Sequence, residues 1–133
     1  MPSLRFFALA ATGLVLAACS EANADRLDQQ TRMAASWTST AVLTLDGWLG
    51  GAVPSHYARR TSQTVSKQLF ELAADLQQGQ PDAVLRHEMQ EVTETLRHAE
   101  RGMETSDLAA VKNSRDALAG VASRFRNQAR PSQ

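Results

Sequence analysis

The sequence predicts an all-α protein folded as an up-down four-helix bundle, and three observations carry that expectation. Ala, Leu, Gln, Glu and Arg are abundant, aromatics make up 5% of residues, and no run alternates apolar and polar side chains over a strand's length. Apolar residues recur instead at spacings of three and four through four separate stretches. Glycine, proline and small polar residues collect between those stretches, as helix stops and starts require. Each stretch has one apolar stripe, so none is stable alone. Extended helical hairpins completed by oligomerisation would bury the same stripes and are the rival architecture.

The first helical pattern runs from about Asp25 to Leu49. With Trp37 as reference at 100° per residue, Met33, Ala41, Thr44 and Trp48 fall within about 40° of it, and Leu27, Ala34, Leu45 and Ala52 widen the stripe on one side. Gly50 and Gly51 stop this helix, and Pro54 disfavours helical geometry at Val53. Ser55 is then the expected N-cap of a second helix over 56–78, which buries Thr61, Val65, Leu69, Leu72 and Leu76.

Gly79-Gln80-Pro81 closes that helix, and Pro81 suits the first turn of the third. The third helix carries Leu85, Met89, Val92, Leu96, Ala99 and Met103, whose alternating spacings of four and three form the cleanest heptad seam in the chain. Gly102 lies near its end, and Ser106 is the expected cap of the fourth. Leu108, Val111, Leu118, Val121, Ala122 and Phe125 line that last helix, and Pro131 marks the tail. Gly47 stands apart. It falls inside a helix, where glycine costs roughly 1 kcal/mol relative to alanine, and close approach of another helix or of a ligand beside Trp48 would account for it.

The chain opens with Arg5 and then an apolar run from Phe6 to Leu16. That is the anatomy of a secretory signal, too short for a membrane span of about 20 residues. Leu16-Ala17-Ala18-Cys19 resembles the lipobox of bacterial lipoproteins. The resemblance implies cleavage after Ala18, acylation of Cys19 and attachment to the cell envelope. With Ser20 rather than aspartate behind the cysteine, the enteric pattern implies the outer membrane, facing the periplasm. Residues 1–18 are then the signal peptide, 19–24 the lipidated cysteine and a polar tether, 25–128 the bundle and 129–133 a disordered tail. Cys19 is the only cysteine, so once acylated it leaves no thiol for a disulfide or a nucleophile.

Without residues 1–18 the chain keeps 115 residues with thirteen Lys and Arg against fourteen acids, a formal charge of −1. That balance offers no footprint for nucleic acid. On the third helix His87, Glu91, Glu94 and His98 have metal-ligand spacing. They lie about 180–240° from the core seam, on the face that should meet solvent, so no metal site is expected. Glu-x-x-His and Cys-x-x-Cys-His are both absent, which excludes the usual bundle di-metal and covalent haem centres. Met33, Met89 and Met103 are expected to pack the core rather than ligate haem, and no cofactor is expected. No nucleophile elbow or phosphate loop occurs.

The expected role is therefore binding or scaffolding for an envelope protein partner, with self-association an open alternative and enzyme activity not expected. A bundle holding a small apolar ligand near Trp37 and Trp48 is the second reading. The surface singled out for contact is the first hairpin's tip: Trp48, Tyr57, Arg59 and Arg60. Arg124, Arg126 and Arg130 form a basic C-terminal segment expected to serve solubility, with contact to anionic lipid or another envelope polyanion the alternative.

Overall fold

The computed structural model describes the backbone of residues 3–78 and 83–129, and the side chains of residues 22, 24–76 and 83–129. It contains four helices: α1 (Ser3–Leu49), α2 (Ser55–Gln78), α3 (Ala83–Glu104) and α4 (Leu108–Gln128). Among the described residues there is no strand, and no helix is long and apolar enough to cross a membrane. Each helix packs on its neighbours in sequence and α4 returns to α1, its most extensive partner. Across the diagonals α1 touches α3 lightly, and α2 does not meet α4 among the described residues. That ring is the up-down-up-down bundle. The four stripes are buried within one chain.

The third helix matches expectation residue for residue: Leu85, Met89, Val92, Leu96, Ala99 and Met103 are all buried. On α2, Val65, Leu69, Leu72 and Leu76 are buried, joined by Ala58 and Ser62, while Thr61 is half-buried. On α4, Val111, Leu118, Val121, Ala122 and Phe125 are buried, but Leu108 is exposed. It stands in the first turn, beyond the reach of the stripe.

Three expectations for α1 are corrected. Its backbone is helical from Ser3 rather than from about Asp25, so residues 20–24 continue the helix. Ser20-Glu21-Ala22-Asn23-Ala24 contains no glycine or proline to stop propagation. Second, the buried face is centred on Ala34, Thr38, Ala41 and Leu45, about 70° round the helix from Trp37 at 100° per residue. Trp37 and Trp48 pack against the core from its edge, half-buried. Small side chains at the centre let helix axes approach, whereas an indole there would hold them apart. Third, Met33 and Ala52 are exposed, so of the three methionines only Met89 and Met103 pack the core. The buried hydroxyls at the interfaces are satisfied locally: Thr38 Oγ1 donates to the Ala34 carbonyl at 2.7 Å and Ser62 Oγ to that of Ala58 at 2.9 Å.

The α1–α2 and α3–α4 turns close in the same way. After α1 the Gly51 N–H donates to the Trp48 carbonyl at 3.0 Å and the Ala52 N–H to the Gly47 carbonyl at 2.8 Å. Gly51 has φ +76°, the left-handed residue that a Schellman motif places just past a helix. After α3 the Ser106 N–H donates to the Met103 carbonyl at 3.4 Å and the Asp107 N–H to the Gly102 carbonyl at 2.8 Å, with Ser106 at φ 56°. Ser106 therefore ends α3 and does not cap α4. The cap is Asp107, whose carboxylate accepts from the Ala110 N–H at 3.0 Å. Ser55 is likewise not a cap: it is the first residue of α2, and its hydroxyl accepts from the Trp48 indole. The expected place of Gly79 and Pro81 lies outside the described residues.

In each turn the glycine that accepts the long motif bond is also a point of close approach. A Cβ built on Gly47 would stand 2.5 Å from Val53 Cγ2, and one on Gly102 would stand 2.8 Å from Val111 Cγ2. The mid-helix glycine is thus explained by the chain's own return past it. Neither another helix nor a ligand is needed there.

Candidate functional site

Both Schellman turns lie at one end of the bundle, because α1 and α3 run toward it while α2 and α4 run away. This end, the tip, gathers the residues singled out in the sequence but uses them differently. Trp48 Nε1 donates to Ser55 Oγ at 2.8 Å, so the indole straps the end of α1 to the start of α2. Arg59 Nη2 donates to Glu104 Oε1 at 2.6 Å, joining α2 to α3. Its Nε is shielded from solvent without an acceptor among the described residues. Nearby Glu100 is half-buried, and its carboxyl is held above the usual range by burial, an effect that Arg59 partly opposes. On the other flank Arg115 Nε and Nη2 donate to the two oxygens of Asp46 at 2.6 and 3.2 Å, tying α4 to α1.

Tyr57 and Arg60 remain outward. Tyr57 is 61% exposed and stacks obliquely on His56, with ring centroids 4.9 Å apart. Arg60 is exposed and has no side-chain partner among the described residues. No Asp or Glu occurs from Ser55 to Phe70, so the outer start of α2 is cationic. Leu108, 60% exposed at the start of α4, adds an apolar group to the same end. It read as core in the sequence. Its position one residue after a capping aspartate was the available sign that it stands at a helix mouth.

The other sequence candidates are dispersed. His87, Glu94 and His98 are exposed on α3, while Glu91 is half-buried and accepts from Arg124 Nη2 at 3.1 Å. Arg101 Nη2 donates to His98 Nδ1 at 2.9 Å. Among the described residues no three His, Cys, Asp or Glu side chains come together to hold a metal ion. The basic C-terminal segment is largely used within the fold. Arg124 meets Glu88 as well as Glu91, and Arg126 Nη1 donates to Ser39 Oγ at 3.2 Å. Arg130 and the side chain of Cys19 lie outside the described residues. Glu88, a buried carboxylate on the α4 side of α3, also accepts from Gln128 Nε2 at 3.1 Å; it went unremarked in the sequence.

Trp37 and Trp48 both pack from α1, whereas an open groove of about 370 Å³ lies between α2 and α3, bordered by Phe70 and Arg86. Neither tryptophan lines it. Comparison with protein families, with curated proteins and with solved structures gives no match for this chain.

Proposed function

We propose that this chain is a lipid-anchored protein of the bacterial envelope that acts as a docking module, held to the outer membrane through Cys19 and presenting its tip to a protein partner in the periplasm. One observation carries the reading. Cleavage after Ala18 would make Cys19 the first residue of the continuous helix α1, whose other end is the tip, and the thirty residues from Cys19 to Leu49 would span about 45 Å at 1.5 Å per residue. A lipid at one end would therefore point the tip away from the bilayer. Two or more acyl chains, with about 0.8 kcal/mol for each buried CH₂, hold a protein on a membrane almost irreversibly.

Tyr57, Arg60 and Leu108 supply the contact chemistry, since exposed Tyr and Arg are the residue types on which interface energy concentrates. The cationic start of α2 favours an acidic partner surface. Three cross-helix links, through Trp48, Arg59 and Arg115, hold the tip in shape before contact. No catalytic step is assigned.

The test has two parts. Cys19→Ala should leave the chain unprocessed or release it from membranes; unchanged processing and membrane attachment would overturn the anchor. A photoreactive amino acid at Tyr57 or Arg60, activated in the native cell, should capture the same envelope protein repeatedly, whereas the same probe at exposed Leu43 should not. Equal capture from both places would overturn the tip as the docking surface.

A further inference from the structure

The groove between α2 and α3 combines an apolar centre with cations along its length. Phe70 is 74% exposed and forms one wall, buried Leu69 and Met89 lie beneath, and half-buried Ala73 and Thr93 leave room between the helices. Arg86 and Arg97 border it on α3, eleven residues apart, which is about 16 Å along the axis. Glu94 stands on the outer lip, so the charged lining is cationic by one. Arg97 shares its field with Glu100. Arg86, only half-exposed, has no ion pair or side-chain hydrogen bond among the described residues. The volume of about 370 Å³ falls at the small end of ligand sites, roughly 300–1,000 Å³, and its lining is divided evenly between apolar side chains and polar or charged ones, Gln90 and Thr93 among the latter.

We propose that this groove binds a single-chain anionic amphiphile, its hydrocarbon tail lying along Phe70, Leu69 and Ala73 and its carboxylate or phosphate head on the guanidinium of Arg86. The shape suits a linear tail, because the trough is open and runs between two helices. The charge selects the head. A guanidinium presents paired N–H donors that match a carboxylate or phosphate, and Arg86 has spent none of them on the fold. Arg86 lies toward the α2–α3 turn, at the bundle end opposite the tip, so head and tail have a defined direction: head near that turn, tail toward the tip. The inference does not depend on the docking role of the tip or on the anchor.

The test uses the full chain in native membranes, labelled with a photoreactive dodecanoate and, in parallel, with photoreactive dodecanol and dodecyl phosphate; the attachment site is mapped on peptides. Dodecanoate or dodecyl phosphate should label α2 near Phe70 or α3 between Arg86 and Arg97, and excess unlabelled ligand should compete. Comparing the two heads tells a fatty acid from a phospholipid source. Phe70→Ser removes an exposed side chain and leaves the core intact; it and Arg86→Gln should each cut labelling at least tenfold, while Arg97→Gln should change it less than twofold. Labelling spread over the chain, equal labelling by dodecanol, or insensitivity to Phe70→Ser and Arg86→Gln would overturn the proposal. A loss with Arg97→Gln but not Arg86→Gln would overturn the assignment of the head. Chemical crosslinking that yields a dimer dissolved by Phe70→Ser would give the groove to a second copy and overturn the ligand.

Discussion

Gly102→Ala is the substitution whose cost the structure specifies most closely. A Cβ there would lie 2.8 Å from Val111 Cγ2, 3.4 Å from Ala110 Cβ and 3.4 Å from the Asp107 carbonyl oxygen. All three atoms belong to α4 or its capping residue. Val111 is fully buried and cannot swing into solvent. The Asp107 N–H is bonded to the Gly102 carbonyl at 2.8 Å, and the Asp107 carbonyl accepts from the Val111 N–H at 3.2 Å, so the turn cannot slide. Relief requires the start of α4 to move away from α3. Overpacking of this kind costs about 1–3 kcal/mol, against which alanine recovers about 1 kcal/mol of helix propensity. The rigid surroundings place the site in the upper part of the range, for a net loss of about 1–2 kcal/mol. Urea unfolding followed by far-ultraviolet circular dichroism measures it, and melting should fall by roughly 4–8 °C per kcal/mol for a domain of this size. In a Val111→Ala background, itself destabilised, adding Gly102→Ala should cost nothing or stabilise, a coupling of at least about 1 kcal/mol. A gain of about 1 kcal/mol from Gly102→Ala alone would refute the close-packing argument, because it would show an ordinary open helical position.

Gly47→Ala should lose about 1 kcal/mol or less despite its nearer contact, because Val53 is half-buried on a turn and can shift; Val53→Ala should abolish the loss in the same unfolding assay. Ser106→Gly should stabilise by about 1 kcal/mol, since serine at φ 56° bears a left-handed penalty that glycine escapes, and thermal melting checks it. Glu100→Gln tests the raised carboxyl. A raised folded-state value means that the fold favours the protonated acid, so this contribution is fully present below the unfolded value and is lost as pH rises through the folded one. The glutamine variant should therefore be the more stable protein at pH 7, and the difference should shrink as pH falls through the ordinary range near 4.5; a variant less stable at pH 7 would show that the pairing of Glu100 with Arg59 outweighs its burial.

The candidate surface was legible in part. Tyr57 and Arg60 stand outward as a tip surface requires, because a bulky aromatic and a cation beside a turn have no core position to fill. Trp48 and Arg59, from the same short stretch, are drawn inward by partners that spacing does not reveal: a serine seven residues on and a glutamate forty-five residues on. Leu108 read as core because an apolar residue at a helix start looks the same whether or not a neighbour reaches it. Phe70 carried a signal that went unread: it sits 100° round α2 from buried Leu69 and outside the stripe of Val65, Leu69, Leu72 and Leu76.

By itself the sequence determined the class, the number of helices and the core of α3, because periodicity of 3.6 and the placement of glycine and proline are local properties of the chain. The heptad of α3 leaves only one face to bury, and all six of its residues are buried. Only the tertiary structure decided the facing of α1, where two tryptophans dominate the pattern but small residues occupy the centre. How closely two helices approach depends on the partner as well as on the helix itself. The same reason governs Gly47 and Gly102. Each reads as a local cost to a helix, and each becomes necessary once the chain folds back and sets a valine methyl where a Cβ would stand.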